Sequence, residues 1–179
     1  IMPSLVGSEM CIRDSPHLVR FLVQLTREAF PRNFQARINV KAPNGNTALH
    51  LAAKIGAPAV VNVLLSEGAR ANVLNGNSET PLHLATRNKR PEAVRNLLNN
   101  RIRCANPNLA NLNGDTALHI AARRGAPQIA KILLDNGANF RLCNNAGFRP
   151  LGVANNNRRF GVSTKIENFK FALNGGGVR

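Results

Sequence analysis

One short phrase occurs four times along this chain, and its spacing excludes a single globular core. It reads Gly45-Asn46-Thr47-Ala48-Leu49-His50-Leu51-Ala52-Ala53, then Ser78-Glu79-Thr80-Pro81-Leu82-His83-Leu84-Ala85-Thr86, then Gly114-Asp115-Thr116-Ala117-Leu118-His119-Ile120-Ala121-Ala122, and last, eroded, Gly147-Phe148-Arg149-Pro150-Leu151-Gly152-Val153-Ala154. Counted at the threonine position, the copies stand at Thr47, Thr80, Thr116 and Arg149, at intervals of 33, 36 and 33 residues. A fixed period of this size means stacked like units, each burying its apolar side only against a neighbour.

The physical sense of the phrase is a helix start. Thr47, Thr80 and Thr116 each precede Ala or Pro and then an apolar run; a side-chain oxygen caps free N–H groups there, and proline is tolerated in the first turn. Small residues follow at Ala52-Ala53, Ala85 and Ala121-Ala122, which lets neighbouring helices approach closely. Gly56 and Gly125 predict left-handed helix ends. Pro58, Pro91 and Pro127 then open a second helix whose apolar positions recur at helical spacing, as at Val60, Val61, Leu64 and Leu65. Between units, Asn72 to Asn77 and Asn139 to Gly147 read as turns, because Asn and Gly accept positive φ.

These residues resemble the ankyrin repeat, whose signature is T-P-L-H-x-A at a period of 33 residues. The second halves of the units match as well, with Leu64-Leu65 before Gly68-Ala69 and Leu133-Leu134 before Gly137-Ala138, so the resemblance runs from Val40 to about Asn155. It implies an all-α solenoid of stacked helix-turn-helix units with projecting β-hairpin-like tips. Complete units are expected at 44–76, 77–113 and 114–146, with a partial N-terminal repeat at 16–43 and a divergent C-terminal repeat or cap with a frayed tail at 147–179. The three extra residues of the longer unit are expected in its tip, around Cys104 to Asn113, where a lengthened finger becomes a candidate contact point. The resemblance also implies that Thr47, His50, Thr80, His83, Thr116 and His119 are structural, each ring bracing the turn against the helix start.

Residues 1–15 read differently. Leu5 to Asp14 can be encoded by CTCGTGGGCTCGGAGATGTGTATAAGAGAC, which resembles a sequencing-library adapter, so this leader is expected to be non-native. Leu18, Val19, Phe21, Leu22 and Leu25 then read as the outer helix of an earlier unit whose inner helix would lie upstream, as in a piece of a longer protein. At the other end, Val162, Ile166, Phe169 and Leu173 suit one amphipathic capping helix, and Gly175-Gly176-Gly177 is expected to fray.

Composition narrows the function. The formal net charge is +15, and removing residues 1–15 leaves 23 Lys and Arg against 7 Asp and Glu, or +16. No apolar run reaches membrane-spanning length, so no membrane role is expected. Cys104 and Cys143 fall in different tips and read as reduced thiols, which suits a cytoplasmic or nuclear protein. The three repeated histidines suggest zinc or catalysis, but stacked helices lie roughly 8 to 10 Å apart, whereas zinc ligands all sit about 2 Å from one metal. With no phosphate loop, convergent Ser/His/Asp set or paired carboxylates in view, neither catalysis nor a cofactor or metal is expected.

Recognition remains. Lys54, then Arg87, Lys89 and Arg90, then Arg123 and Arg124, then Arg158 and Arg159 follow the inner helices of successive units, and stacking is expected to line them into a basic strip on the concave side. That strip suits an acidic protein partner; the plainer alternative is that these are solvated surface cations. Two other functions stay open: a nucleic-acid binder, opposed by the lack of Tyr and Trp and by few Phe outside packing positions, and the targeting arm of a larger enzyme or ubiquitin-ligase adaptor. Acidic stretches of the kind found in ankyrin inhibitors of Rel-type factors are missing here.

Overall fold

The computed structural model describes residues 38–100 and 104–173, with side chains up to residue 170. The expectations for residues 1–15, for Leu18 to Leu25, for Leu173 as a packed side chain and for Gly175-Gly176-Gly177 lie outside these limits. Four helix pairs follow one another: α1 (Ala48–Ile55) and α2 (Pro58–Ser66), α3 (Pro81–Arg87) and α4 (Pro91–Leu98), α5 (Ala117–Arg124) and α6 (Pro127–Asp135), α7 (Pro150–Asn156) and α8 (Phe160–Leu173). The first helices of the pairs form an inner row, with α1 on α3, α3 on α5 and α5 on α7, and the second helices form an outer row in the same order. The principal contacts stay within a pair or reach the adjacent pair, which is the nearest-neighbour pattern of a stacked array.

Sequence periodicity explains which side chains meet. Leu49, Leu82 and Leu118, two residues after each threonine, are buried, as are Leu64, Leu97, Leu133 and Ile166 on the outer row. Between the inner helices stand Ala52, Ala85, Ala121 and Ala154, all buried, so that no side chain larger than a methyl separates the backbones at that level. Val162 and Ile166 of α8 join this core and Phe169 packs against it, as the amphipathic reading predicts.

Each turn from inner to outer helix is closed in the same way. An amide donates back to the carbonyl five residues earlier in all four units: Ala57 to Ala52, Arg90 to Ala85, Ala126 to Ala121 and Arg159 to Ala154. The residue before the donor is left-handed, with φ of 84° at Gly56, 53° at Lys89, 61° at Gly125 and 52° at Arg158. Glycine accepts this backbone freely, whereas a residue with a Cβ there costs roughly 1 kcal/mol.

The tips depart from expectation in two respects. Their asparagines are not the residues with positive φ; that region is taken by Gly45, Ser78, Gly114 and Gly147. Instead the asparagine side chains replace backbone partners. Asn75 Oδ1 accepts from Asn77 and Glu79 N–H, Asn111 Oδ1 from Asn113 and Asp115, and Asn144 Oδ1 from Ala146 and Phe148. Neighbouring tips are then tied by Asn39 to Arg70, Asn72 to Asn106 and Asn108 to Asn139, each asparagine oxygen accepting a backbone N–H of the next unit. The only strand-like pairing among the described residues is one bridge between Ala110 and Thr116, so the tips are short hairpin-like turns without extended strand arms.

The second departure concerns the extra residues. Ala69 donates to Leu64 and Ala138 to Leu133, but the corresponding Ala105 donates to Leu97, three residues further back. From Ala69 to Thr80, Ala105 to Thr116 and Ala138 to Arg149 the distance along the chain is the same. The insertion therefore falls between Leu98 and Ala105, at the end of the outer helix, and the tip from Cys104 to Asn113 is not lengthened. Tips bond to tips on both sides, as Leu112 to Asn77 and Asn145 to Asn113, and an extra residue there would break that register.

Truncating the central leucines tests this packing. Leu49→Ala and Leu118→Ala are each expected to lower stability by about 2–5 kcal/mol in urea unfolding, because both side chains are almost wholly buried. A loss under about 1 kcal/mol at either position would contradict the packing register.

Candidate binding surface

The surface rests on a repeated histidine. In three units the ring Nδ1 accepts the backbone N–H of the threonine three residues earlier: Thr47 to His50 at 3.1 Å, Thr80 to His83 at 3.1 Å and Thr116 to His119 at 3.2 Å. The threonine hydroxyls stand 2.9, 2.8 and 2.9 Å from the same nitrogens. Because Nδ1 accepts, the ring proton sits on Nε2, which donates forward into the next unit: His50 to Glu79 O at 3.0 Å, His83 to Asp115 O at 3.1 Å and His119 to Phe148 O at 2.9 Å. Histidine thus takes the place that Glu or Gln holds in an ordinary capping box, and its second nitrogen binds the neighbour. Both nitrogens of each ring are used, and among the described residues no group of three or more His, Cys, Asp or Glu is placed to hold a metal ion.

Burial keeps these rings neutral. Removal from water pushes all three below the ordinary imidazole value, His83 to about 4, against the raising effect of the backbone carbonyls they bind. The fourth unit has Gly152 in place of histidine, so it receives the bond from His119 and sends none onward.

The basic residues divide into three sets rather than one strip of equivalents. Arg87 and Arg123, expected as partner contacts, are held by acids eight residues earlier. Arg87 forms a two-point ion pair with Glu79, one contact being Nη1 to Oε2 at 3.1 Å, and Arg123 Nη2 lies 2.6 Å from Asp115 Oδ2. Both carboxylates are buried, and Asp115 also accepts from Asn144 Nδ2 at 2.9 Å. A buried carboxylate without a cation is strongly unfavourable, so these two arginines serve the fold first. In the first unit the corresponding pair is Asn46 and Lys54, where Asn46 accepts from Asn75 and needs no cation.

Arg90 and Arg159 form the second set. Both are exposed, but their stems lie across the glycine turns of the preceding units: Arg90 runs against Gly56, and a Cβ on Gly125 would stand 2.8 Å from Arg159 Cδ. The third set is Lys54, Lys89, Arg124 and Arg158, all exposed and with no ion pair among the described residues. Arg95 is on the outer helix α4 and pairs with Glu92 at 3.6 Å; Arg101 and Arg103 lie outside the described residues.

Two features escaped the sequence reading. The buried acids Glu79 and Asp115 were detectable as an acid directly before Thr80 and Thr116, eight residues ahead of an arginine in the same phrase. Aromatic exposure was the other: Phe148 is 47% and Phe160 is 71% exposed, and the sequence pattern did not single out these two among the phenylalanines. Among the described residues no helix is long and apolar enough to cross a membrane.

Two measurements test this arrangement. The unfolded chain takes up protons on its histidines first, so stability is fully present above about pH 6.5 and falls as the pH drops toward about 4, with His83 alone contributing about 3 kcal/mol of that loss. Urea midpoints between pH 7 and 4 should show it, and His83→Asn should remove the largest share of the slope; an unchanged slope would contradict a buried neutral ring. For the acid pair, Arg87→Ala is expected to cost about 2 kcal/mol, below the usual figure for a buried pair because the arginine is partly exposed. Adding Glu79→Gln should recover most of it, and no recovery would mean that the arginine acts through packing alone.

The family model described as Ankyrin repeats (3 copies) matches this chain over residues 9–105 and 101–164. Among curated proteins, none matches it. Ankyrin repeats are in general protein-binding modules and the family is typically non-catalytic. With the matched spans reaching across most of its length and the Thr–His brace present in three successive units, this chain belongs to the ankyrin repeat family.

Proposed function

We propose that this chain is a non-catalytic scaffold that binds an acidic segment of a protein partner through its inner-helix side and its tips. The observation that carries this reading is a separation of charge. Among the described residues the exposed or half-buried carboxylates are Glu67, Glu92, Asp135 and Glu167, all on outer helices or directly after one. The inner helices and tips hold only Glu79 and Asp115, both buried and neutralised. The inner side offers Lys54, Lys89, Arg124 and Arg158 to solvent, among other cations, with no exposed carboxylate beside them. A surface of one sign speeds the approach of the opposite sign and repels like-charged partners.

Apolar side chains at the tips favour a protein over a nucleic acid. Leu74 is 39% and Leu112 is 63% exposed, and neither offers anything to a phosphate backbone. They suit a partner segment that mixes carboxylates with aliphatic residues. A cytoplasmic or nuclear location goes with this reading, Cys104 and Cys143 being free thiols.

An array of acidic, neutral and basic peptides at about 0.15 M salt tests it. The protein should retain acidic peptides selectively, and the combined variant Lys54→Glu, Lys89→Glu, Arg124→Glu and Arg158→Glu should lose them while keeping its unfolding midpoint within a few degrees. Arg87 and Arg123 are left intact because reversing them would place a second carboxylate beside a buried one. Undiminished retention by the variant would sink the proposal.

A further inference from the structure

The exposed basic pairs follow a double repeat. Lys89-Arg90 and Arg158-Arg159 stand 69 residues apart (158 − 89 and 159 − 90), which is one unit of 36 and one of 33. The other two units carry Gly56-Ala57 and Gly125-Ala126 at the same place, also 69 apart (125 − 56). Glycine is the residue that this left-handed turn favours, and the chain uses it in alternate units only. In the units between, the position is given to Lys89 and Arg158, which accept a steric penalty while their side chains reach into solvent with no hydrogen bond or ion pair among the described residues. Strain kept where the side chain serves no internal contact points to an external one.

Alternation gives each pair a seat. The stem of Arg90 lies over Gly56 and that of Arg159 over Gly125, positions where any Cβ would intrude. Glycine in one unit and arginine in the next thus form one device, present twice. Beside the second copy an open cleft is lined by Gly125, Pro127, Arg158, Arg159 and the exposed ring of Phe160.

We propose that the two pairs form a bipartite docking surface for one extended acidic segment of a protein, carrying two clusters of carboxylates. The inference rests on the function proposed above and adds a spacing to it. Inner helices stack roughly 8–10 Å apart, so the pairs lie about 16–20 Å apart. An extended segment rises about 3.3 Å per residue, so five or six residues bridge them. Arg124 stands exposed on the unit between, which keeps the track cationic. An aliphatic or aromatic residue flanking the second cluster would meet Phe160. A nucleic acid carries its charge evenly, and would show no preference for this spacing.

The test uses the full chain and fluorescent peptides with two diglutamate clusters, either adjacent or joined by neutral Gly/Ser spacers of about four or twelve residues, at about 0.15 M salt. The four-residue spacer is expected to bind at least about tenfold more tightly than the peptide without a spacer, whose outermost glutamates stand only about 10 Å apart and cannot reach both pairs. Lys89→Gly with Arg90→Ala, or Arg158→Gly with Arg159→Ala, should each abolish that advantage; glycine suits the turn, and thermal unfolding checks that the fold is kept. Binding that ignores the spacer overturns the bipartite surface and leaves the acidic-partner function standing. Failure of every acidic peptide removes both. Equal displacement by single-stranded RNA of the same charge, unaffected by the pair variants, overturns the bipartite surface in favour of a nucleic-acid one.

Discussion

The forward bond from histidine Nε2 to the carbonyl of the next unit is the constraint on which the array depends. The ring closes its own helix start with one nitrogen and fastens the neighbour with the other, so local and inter-unit order rise together. The accepting carbonyls belong to Glu79, Asp115 and Phe148, the last residues of the tips, and each bond therefore sets the height of a tip against the inner helix before it. In a site removed from water such a bond is strong when made and expensive when broken. The small residues of the inner row have a place because this bond and the tip ladder set the spacing, and the buried alanine level lies within it.

The same residue that offers its carbonyl also decides what happens to the charge. Where it is Glu79 or Asp115, the side chain turns inward and demands a cation, and the arginine two turns along the inner helix supplies it. Where it is Asn46, the side chain is satisfied by Asn75, and Lys54 is left to solvent. In the last unit it is Phe148, which stays exposed. A single position thus sorts the basic surplus into internal neutralisers and free cations, and the formal charge overstates what a partner meets.

Much of this was legible in the chain. The capping threonines, the left-handed Gly56 and Gly125, the buried leucines and the amphipathic run ending in α8 all follow from rules that act over a few residues. Asparagine misled: its turn preference is real, yet in these tips its side chain serves as acceptor for two amides, a task that composition does not separate from positive φ. The insertion misled for a related reason. Threonine-to-threonine spacing counts residues but does not say where in the unit they are absorbed, and the bond from Ala105 to Leu97 together with the tip ladder places them before the tip.

By itself the sequence determined the kind of repeating unit and its period, the helix each phrase begins, and the side chains that face the core, because helical period and capping are encoded within each unit. Only the tertiary structure decided which arginines are bound to buried acids, which lie over a glycine of the unit before, and which remain free. Those outcomes turn on distances between residues eight or more apart and between adjacent units, such as Arg123 to Asp115 and Arg159 to Gly125. A linear count of charges carries no such distance, and stacking supplies it.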